Sequence, residues 1–121
     1  LDGVRVLLVD DSTDNQRLFE RFLSSVHATV DVAENGVVAI NRSQVTKYDV
    51  IIMDIRMPIM DGYEATRLIR AQGFEGPIIA LTAHANPGEE DRCRKAGCSG
   101  FFLKPINRVD LIKAVTDAVN R

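Results

Sequence analysis

Two short apolar runs in this chain end in carboxylates: Asp10 and Asp11 follow Val4–Val9, and Asp54 follows Val50–Met53. A single aspartate at such a place serves as readily as a loop residue or a cap. Three brought to one edge repel one another, and a carboxyl pKa rises there unless a cation intervenes. A hard divalent ion removes that conflict. Magnesium suits it, being octahedral, oxygen-ligated and held by one or two carboxylates completed by water and phosphate. Two later runs end in Thr82 and Lys104. A hydroxyl and an ammonium facing a metal-bound carboxylate can hold the equatorial oxygens of a transferring phosphoryl group. Asp54 is then the nucleophile and forms an aspartyl phosphate. Taken singly, Lys104 could be a solvated lysine and Thr82 a turn residue. The chemistry needs them in one place.

The elements that must put them there are legible in the pattern. Val4–Val9, Thr29–Ala33, Val50–Met53, Pro77–Leu81 and Gly100–Lys104 read as five strands, several of them apolar throughout and so buried on both faces. Between them lie helical stretches. Leu18, Phe19, Phe22, Leu23 and Val26 recur at helical spacing over residues 14–26, and Val37 to Val45 form a weaker, β-branched helix after the Asn35-Gly36 turn. Asp61 and Glu64 have the form of a capping box for a third helix, with Ala65, Leu68 and Ile69 inward. Asn86 as N-cap and Pro87 at the first helical position open a fourth, which turns Cys93 and Ala96 inward and stops at Gly97. Asn107 caps a fifth, with Leu111, Ile112, Val115 and Val119 inward. Strict strand–helix alternation implies an α/β fold: a (βα)5 flavodoxin-like, doubly wound parallel sheet of order 2-1-3-4-5. Its crevice opens between the first and third strands, where the three aspartates end.

A chain of 121 residues makes one domain, residues 1–121. A net charge of −2 gives no reason to expect nucleic acid or an acidic membrane surface as partner, and no apolar run reaches the ~20 residues a membrane span needs. Cys93 and Cys98 lack further ligands at metal-binding spacing and read as reduced, structural thiols of a cytoplasmic protein.

Asp10-Asp11, the stretch Met53-Asp54 through Met57-Pro58 to Asp61-Gly62, Leu81-Thr82-Ala83 and Lys104-Pro105 resemble the receiver domain of two-component response regulators, over essentially the whole chain. The resemblance implies that Asp54 is the phosphoacceptor. It implies that Asp10, Asp11, Asp54 and the Arg56 backbone carbonyl hold Mg²⁺, and that Thr82, the Ala83 amide and Lys104 contact the phosphoryl group. It also implies a cis Lys104–Pro105 bond, catalysis of the domain's own phosphorylation and dephosphorylation, and a histidine kinase or histidine phosphotransfer domain as partner. Phe101 stands where the family keeps a switch aromatic, often Tyr, and is either that or a plain core aromatic. Arg56 beside the phosphoryl site departs from any fixed pattern. His84 reads as an exposed loop histidine.

A flavin or nucleotide binder of the same fold fits worse, because its first loop offers glycines and amides to phosphate where this chain has Asp10-Asp11. An aspartyl-phosphate phosphohydrolase needs a second acid/base two residues after the nucleophile, where Arg56 stands. The wording of residues 53–66 and 79–83 looks closest to the receiver of a hybrid histidine kinase, with which the non-Met start agrees; kinase activity would belong to such a longer chain. A stand-alone regulator is the alternative. The stripe Leu18/Phe19/Phe22/Leu23 is either wholly core or in part a docking face.

Overall fold

The five apolar runs carry the architecture. In the computed structural model, which describes residues 1–84 and 86–120, they form β1 (Arg5–Val9), β2 (Thr29–Ala33), β3 (Val50–Asp54), β4 (Ile78–Thr82) and β5 (Gly100–Leu103). All pair in parallel, in the order β2-β1-β3-β4-β5. This is the flavodoxin-like sheet expected from the alternation. Its connections are α1 (Thr13–Ser24), α2 (Gly36–Val45), α3 (Gly62–Ala71), α4 (Glu89–Ala96) and α5 (Arg108–Val119).

Successive strand residues point to opposite faces, so an unbroken apolar run builds two cores at once. Leu7, Val9, Ile51, Met53, Ile78 and Ala80 pack with residues of α2, α3 and α4. Val6, Leu8, Val50, Ile52, Ile79 and Leu81 pack with Phe19 and Leu23 of α1 and with Leu111, Ala114 and Val115 of α5. Truncating a fully buried member such as Ile51 to alanine would cost about 2–5 kcal/mol. The side chains of Ser12, Asn35, Asp61 and Asn107 accept from the backbone N–H groups of Asn15 (3.3 Å), Val38 (2.9 Å), Glu64 (2.9 Å) and Asp110 (2.8 Å). Each such cap contributes about 1 kcal/mol.

Three expectations need correction. α4 begins at Glu89, not at Pro87, and Asn86 is not its N-cap. Gly88 precedes the helix in the left-handed region (φ 83), and the Glu89 N–H closes a turn onto the Asn86 carbonyl at 3.1 Å, so the chain becomes helical only after that turn. Leu68 of α3 is exposed; Tyr63 and Thr66 join Ala65 and Ile69 inside. In α5 Ala114 is buried with Leu111 and Val115 and the half-buried Val119 packs against the same core, whereas Ile112 is only half-buried. Cys93 and Cys98 are free and buried as expected. Burial pushes the Cys93 thiol up to about 12, which keeps it protonated and unreactive at neutral pH. Among the described residues no helix is long and apolar enough to cross a membrane.

Candidate functional site

β1 and β3 are neighbours at the centre of the sheet, with Val9 level with Met53, so the residues that follow meet at the same edge. Asp10 is 1% and Asp54 5% exposed, whereas Asp11 stands open to solvent. One carboxylate oxygen from each of the three lies within 4.8 Å of the other two. Lys104 reaches over from the end of β5, its Nζ 3.0 Å from Asp10 Oδ2 and 3.3 Å from Asp54 Oδ1. The Lys104–Pro105 bond is cis, and the Lys104 N–H donates to the Thr82 carbonyl at 2.8 Å, joining the ends of β4 and β5.

Asp10 is held at both ends: Ser12 N–H donates to its Oδ1 at 2.9 Å, and Gln16 Nε2 to its carbonyl at 2.7 Å. Thr82 is wholly buried, and its Oγ1 accepts from the His84 N–H at 3.3 Å. Gly62 lets the first turn of α3 close over the end of β3. A Cβ there would stand 2.5 Å from the Asp54 carbonyl oxygen and 2.7 Å from Ile55 Cα, both backbone atoms that cannot yield cheaply.

Burial pushes the Asp54 carboxyl up to about 6. Lys104 opposes that rise, while the Asp10 charge and the Asp11 hydrogen bond add to it. Three carboxylates thus face one ammonium, an imbalance that a bound cation relieves. The donors are all hard oxygens, two of them from buried groups already close together, and this set fits a hard divalent ion rather than a soft one.

The fold therefore brings Asp10, Asp11, Asp54, Thr82 and Lys104 to one edge, with Ala83 exposed beside Thr82. Two residues singled out in the sequence have other engagements. The Arg56 guanidinium is paired with Glu89, Nη2 to Oε1 3.0 Å. Phe101 is half-buried, packed against the core on the α3–α4 side and lining a cleft with Asn86 and Gly88 at the start of α4. His84 is exposed, as its loop position suggested. What the pattern did not show is Glu89. Read in sequence it is one early acid among Glu89, Glu90 and Asp91; in the fold it is buried and accepts from Tyr63 Oη at 3.1 Å as well as from Arg56. No local signal separates it from its two solvated neighbours.

The chain belongs to the response regulator receiver domain family, whose sequence model matches residues 6–116. It is a receiver domain of two-component phosphorelay signalling. It is 39% identical over 112 residues to the rice (Oryza sativa subsp. japonica) two-component response regulator ORR41, covering 89% of this chain and 88% of that protein. It is also 38% identical over 133 residues to rice (subsp. indica) probable histidine kinase 2, covering 95% of this chain but only 13% of the kinase. The chain thus spans about an eighth of that relative's length. Among solved structures it resembles the receiver domain of sensor histidine kinase PA1611 from Pseudomonas aeruginosa PAO1, with a TM-score of 0.91 and 38% identity over 98% of this chain and 99% of that one. That structure has a magnesium ion coordinated in its active-site cleft.

Proposed function

We propose that Asp54 accepts a phosphoryl group from a phosphohistidine, with Mg²⁺ held by Asp10, Asp11, Asp54 and the Arg56 backbone carbonyl. The observation that carries this reading is the convergence of three carboxylates on one edge, with Lys104 within 3.3 Å of two of them. The bound ion supplies positive charge to the phosphoryl oxygens and to the attacking carboxylate. Asp54, ionised above pH 6, attacks phosphorus in line; the P–N bond of the donor breaks, and the imidazole leaves and takes up a proton. Lys104 transfers its ammonium from the carboxylates to a phosphoryl oxygen. Thr82 and the Ala83 amide hold another, and Thr82 moves toward Asp54 as it does so. Phe101 follows, because it lines the cleft beside the start of α4, the helix to which the Thr82 loop leads. Residues 1–121 act as one such unit.

The donor on this reading is a histidine kinase or a histidine phosphotransfer domain, docking on α1 beside the acidic edge. Leu18 is 41% exposed, while Phe19 and Leu23 fill the core and the half-buried Phe22 packs against it, so Leu18 and the open edge of Phe22 are left for a partner. We further infer that the chain is the receiver segment of a hybrid histidine kinase; its likeness to the receiver of PA1611 and to the rice kinase supports this, and its likeness to the rice regulator supports the stand-alone alternative.

Incubation with phosphoramidate and Mg²⁺, followed by intact mass, tests the acceptor. A hydroxylamine-sensitive mass gain is expected in the wild type and none in Asp54→Asn; full labelling of that variant refutes the assignment. Radiolabelled phosphate passing both ways between Asp54 and a phosphotransfer histidine supports the hybrid origin, and loading by a separate kinase with no unloading favours the stand-alone regulator.

A further inference from the structure

The start of α4 is fastened in an unusual way. Most helices begin with a side chain outside the helix accepting from its first N–H groups. Here the preceding residue is Gly88, which has no side chain to offer, and the fastening comes from Glu89 reaching outward. Glu89 Oε2 accepts from the Asn86 N–H at 3.3 Å, and Oε1 accepts from both Tyr63 Oη (3.1 Å) and Arg56 Nη2 (3.0 Å). Arg92, one turn further along α4, lays its guanidinium on the Tyr63 ring at 4.0 Å from the centroid. One buried carboxylate thus ties α4 and the loop before it to the β3–α3 loop and the first turn of α3.

The pair is asymmetric. The Glu89 side chain is 5% exposed and the Arg56 side chain 53%. Removing the cation leaves a buried carboxylate whose donors among the described residues, Tyr63 Oη and the Asn86 N–H, are neutral, a costly arrangement. The cation itself is half in water and free to find another anion. Arg56 stands two residues beyond Asp54, on the loop whose carbonyl is proposed to hold the metal. A phosphoryl group on Asp54 places a dianion at that loop, and a guanidinium binds phosphate oxygens in its planar fork at least as well as carboxylate oxygens.

We propose that Glu89 is a positioning residue for the phosphoryl chemistry: at rest it holds the Arg56 guanidinium and the first turn of α4, and phosphorylation of Asp54 draws the guanidinium away and loosens α4. This rests on Asp54 being the acceptor and adds the element that transmits its state. The rest of α4 has little to hold it, since apart from Glu89 its buried residues are Cys93 and Ala96. Coupling of this kind is reciprocal: if phosphorylation weakens the Glu89–Arg56 pair, then removing the pair favours phosphorylation.

The test uses Glu89→Gln, which keeps an acceptor for Tyr63 and removes the charge, with Arg56→Gln as a second variant that removes the charge of the exposed partner and keeps an amide donor. Phosphoramidate and Mg²⁺ load each protein; intact mass gives the rate, and hydrogen exchange follows residues 86–96. In the wild type, loading should raise exchange in the first turn of α4 five-fold or more. In Glu89→Gln, exchange at rest should already stand near the loaded wild-type level, and loading should be several-fold faster at low salt. That acceleration should vanish when Arg56→Gln is added, because the freed guanidinium is its source. In Arg56→Gln alone, loading should leave α4 exchange unchanged. A purely structural Glu89 would loosen α4 on substitution yet show neither the faster, Arg56-dependent loading nor any wild-type response of α4 to phosphate; that outcome overturns the proposal. Failure of the wild type to load at all overturns the acceptor reading instead, and the coupling with it.

Discussion

Asp54→Asn should make the protein more stable at neutral pH, by an amount the site itself sets. The carboxyl titrates near 6 in the folded chain against 3.8 for an unperturbed aspartate, chiefly because burial disfavours its charged form. The folded state therefore binds this proton more tightly than the unfolded state does. Stability attributable to the group is complete below pH 3.8, falls as pH rises from 3.8 to 6, and is constant above that. At about 1.4 kcal/mol per pH unit of difference, the native state at pH 7 carries a cost of about 3 kcal/mol. Asparagine has the shape of the carboxyl and no charge, so it removes that cost. Lys104 keeps its 3.0 Å partner in Asp10, and no buried ammonium is stranded. Urea unfolding in EDTA across pH 4.5–8 measures the effect as a shift in midpoint at constant slope. The variant's advantage should be small at pH 4.5, grow through pH 6, and level off near 3 kcal/mol. Saturating Mg²⁺ should then stabilise the wild type by roughly 2.7 kcal/mol at a hundred times Kd and narrow the gap. A variant no more stable than wild type at pH 7.5, or an advantage that does not change with pH, refutes the reasoning.

Asp11→Ala should weaken Mg²⁺ binding at least about tenfold, since one of the few proposed oxygen ligands is lost, without lowering the urea midpoint, because Asp11 is exposed and its hydrogen bond helps to raise the Asp54 pKa; an unchanged metal titration counts against the site. Gly62→Ala should cost about 1–3 kcal/mol or more and slow phosphoramidate loading as well, because the new Cβ pushes on the Asp54 and Ile55 backbone; a stable, fully active variant means that the turn yields more easily than its geometry suggests. Ile59→Gly should stabilise the protein by about 0.5–1 kcal/mol. Ile59 is 81% exposed and sits at φ 73 in a three-residue turn closed by the Met60 N–H on the Pro58 carbonyl, a strained conformation for a β-branched residue with no burial to lose. A lower midpoint in that variant contradicts the strain.

Much of this protein is local in origin and so is written in the order of its residues. Five apolar runs separated by helical stretches dictate a parallel sheet, because strands buried on both faces need helices on both sides and the crossovers have one hand. Parallel pairing then places every strand's carboxyl end at one edge and the 2-1-3-4-5 order sets β1 beside β3, which is why Asp10, Asp11, Asp54, Thr82 and Lys104 were legible as one group before any distance was known. Caps such as Asp61 and Asn107 were legible too, since the bond they make spans three residues. Only the tertiary structure decided which half of the α1 stripe is core, for Phe19 and Leu18 are adjacent in sequence and separated only by what α5 and the sheet cover. It also decided the start of α4. Asn86-Pro87 is a sound helix opening by itself, but Glu89 has partners 33 and 26 residues away in Arg56 and Tyr63, and the chain turns at Gly88 before the helix begins. A carboxylate among three acids has nothing in its neighbourhood to mark it as the buried one. Its environment is assembled from the β3–α3 loop, α3 and the loop before α4, and only their packing takes it out of water.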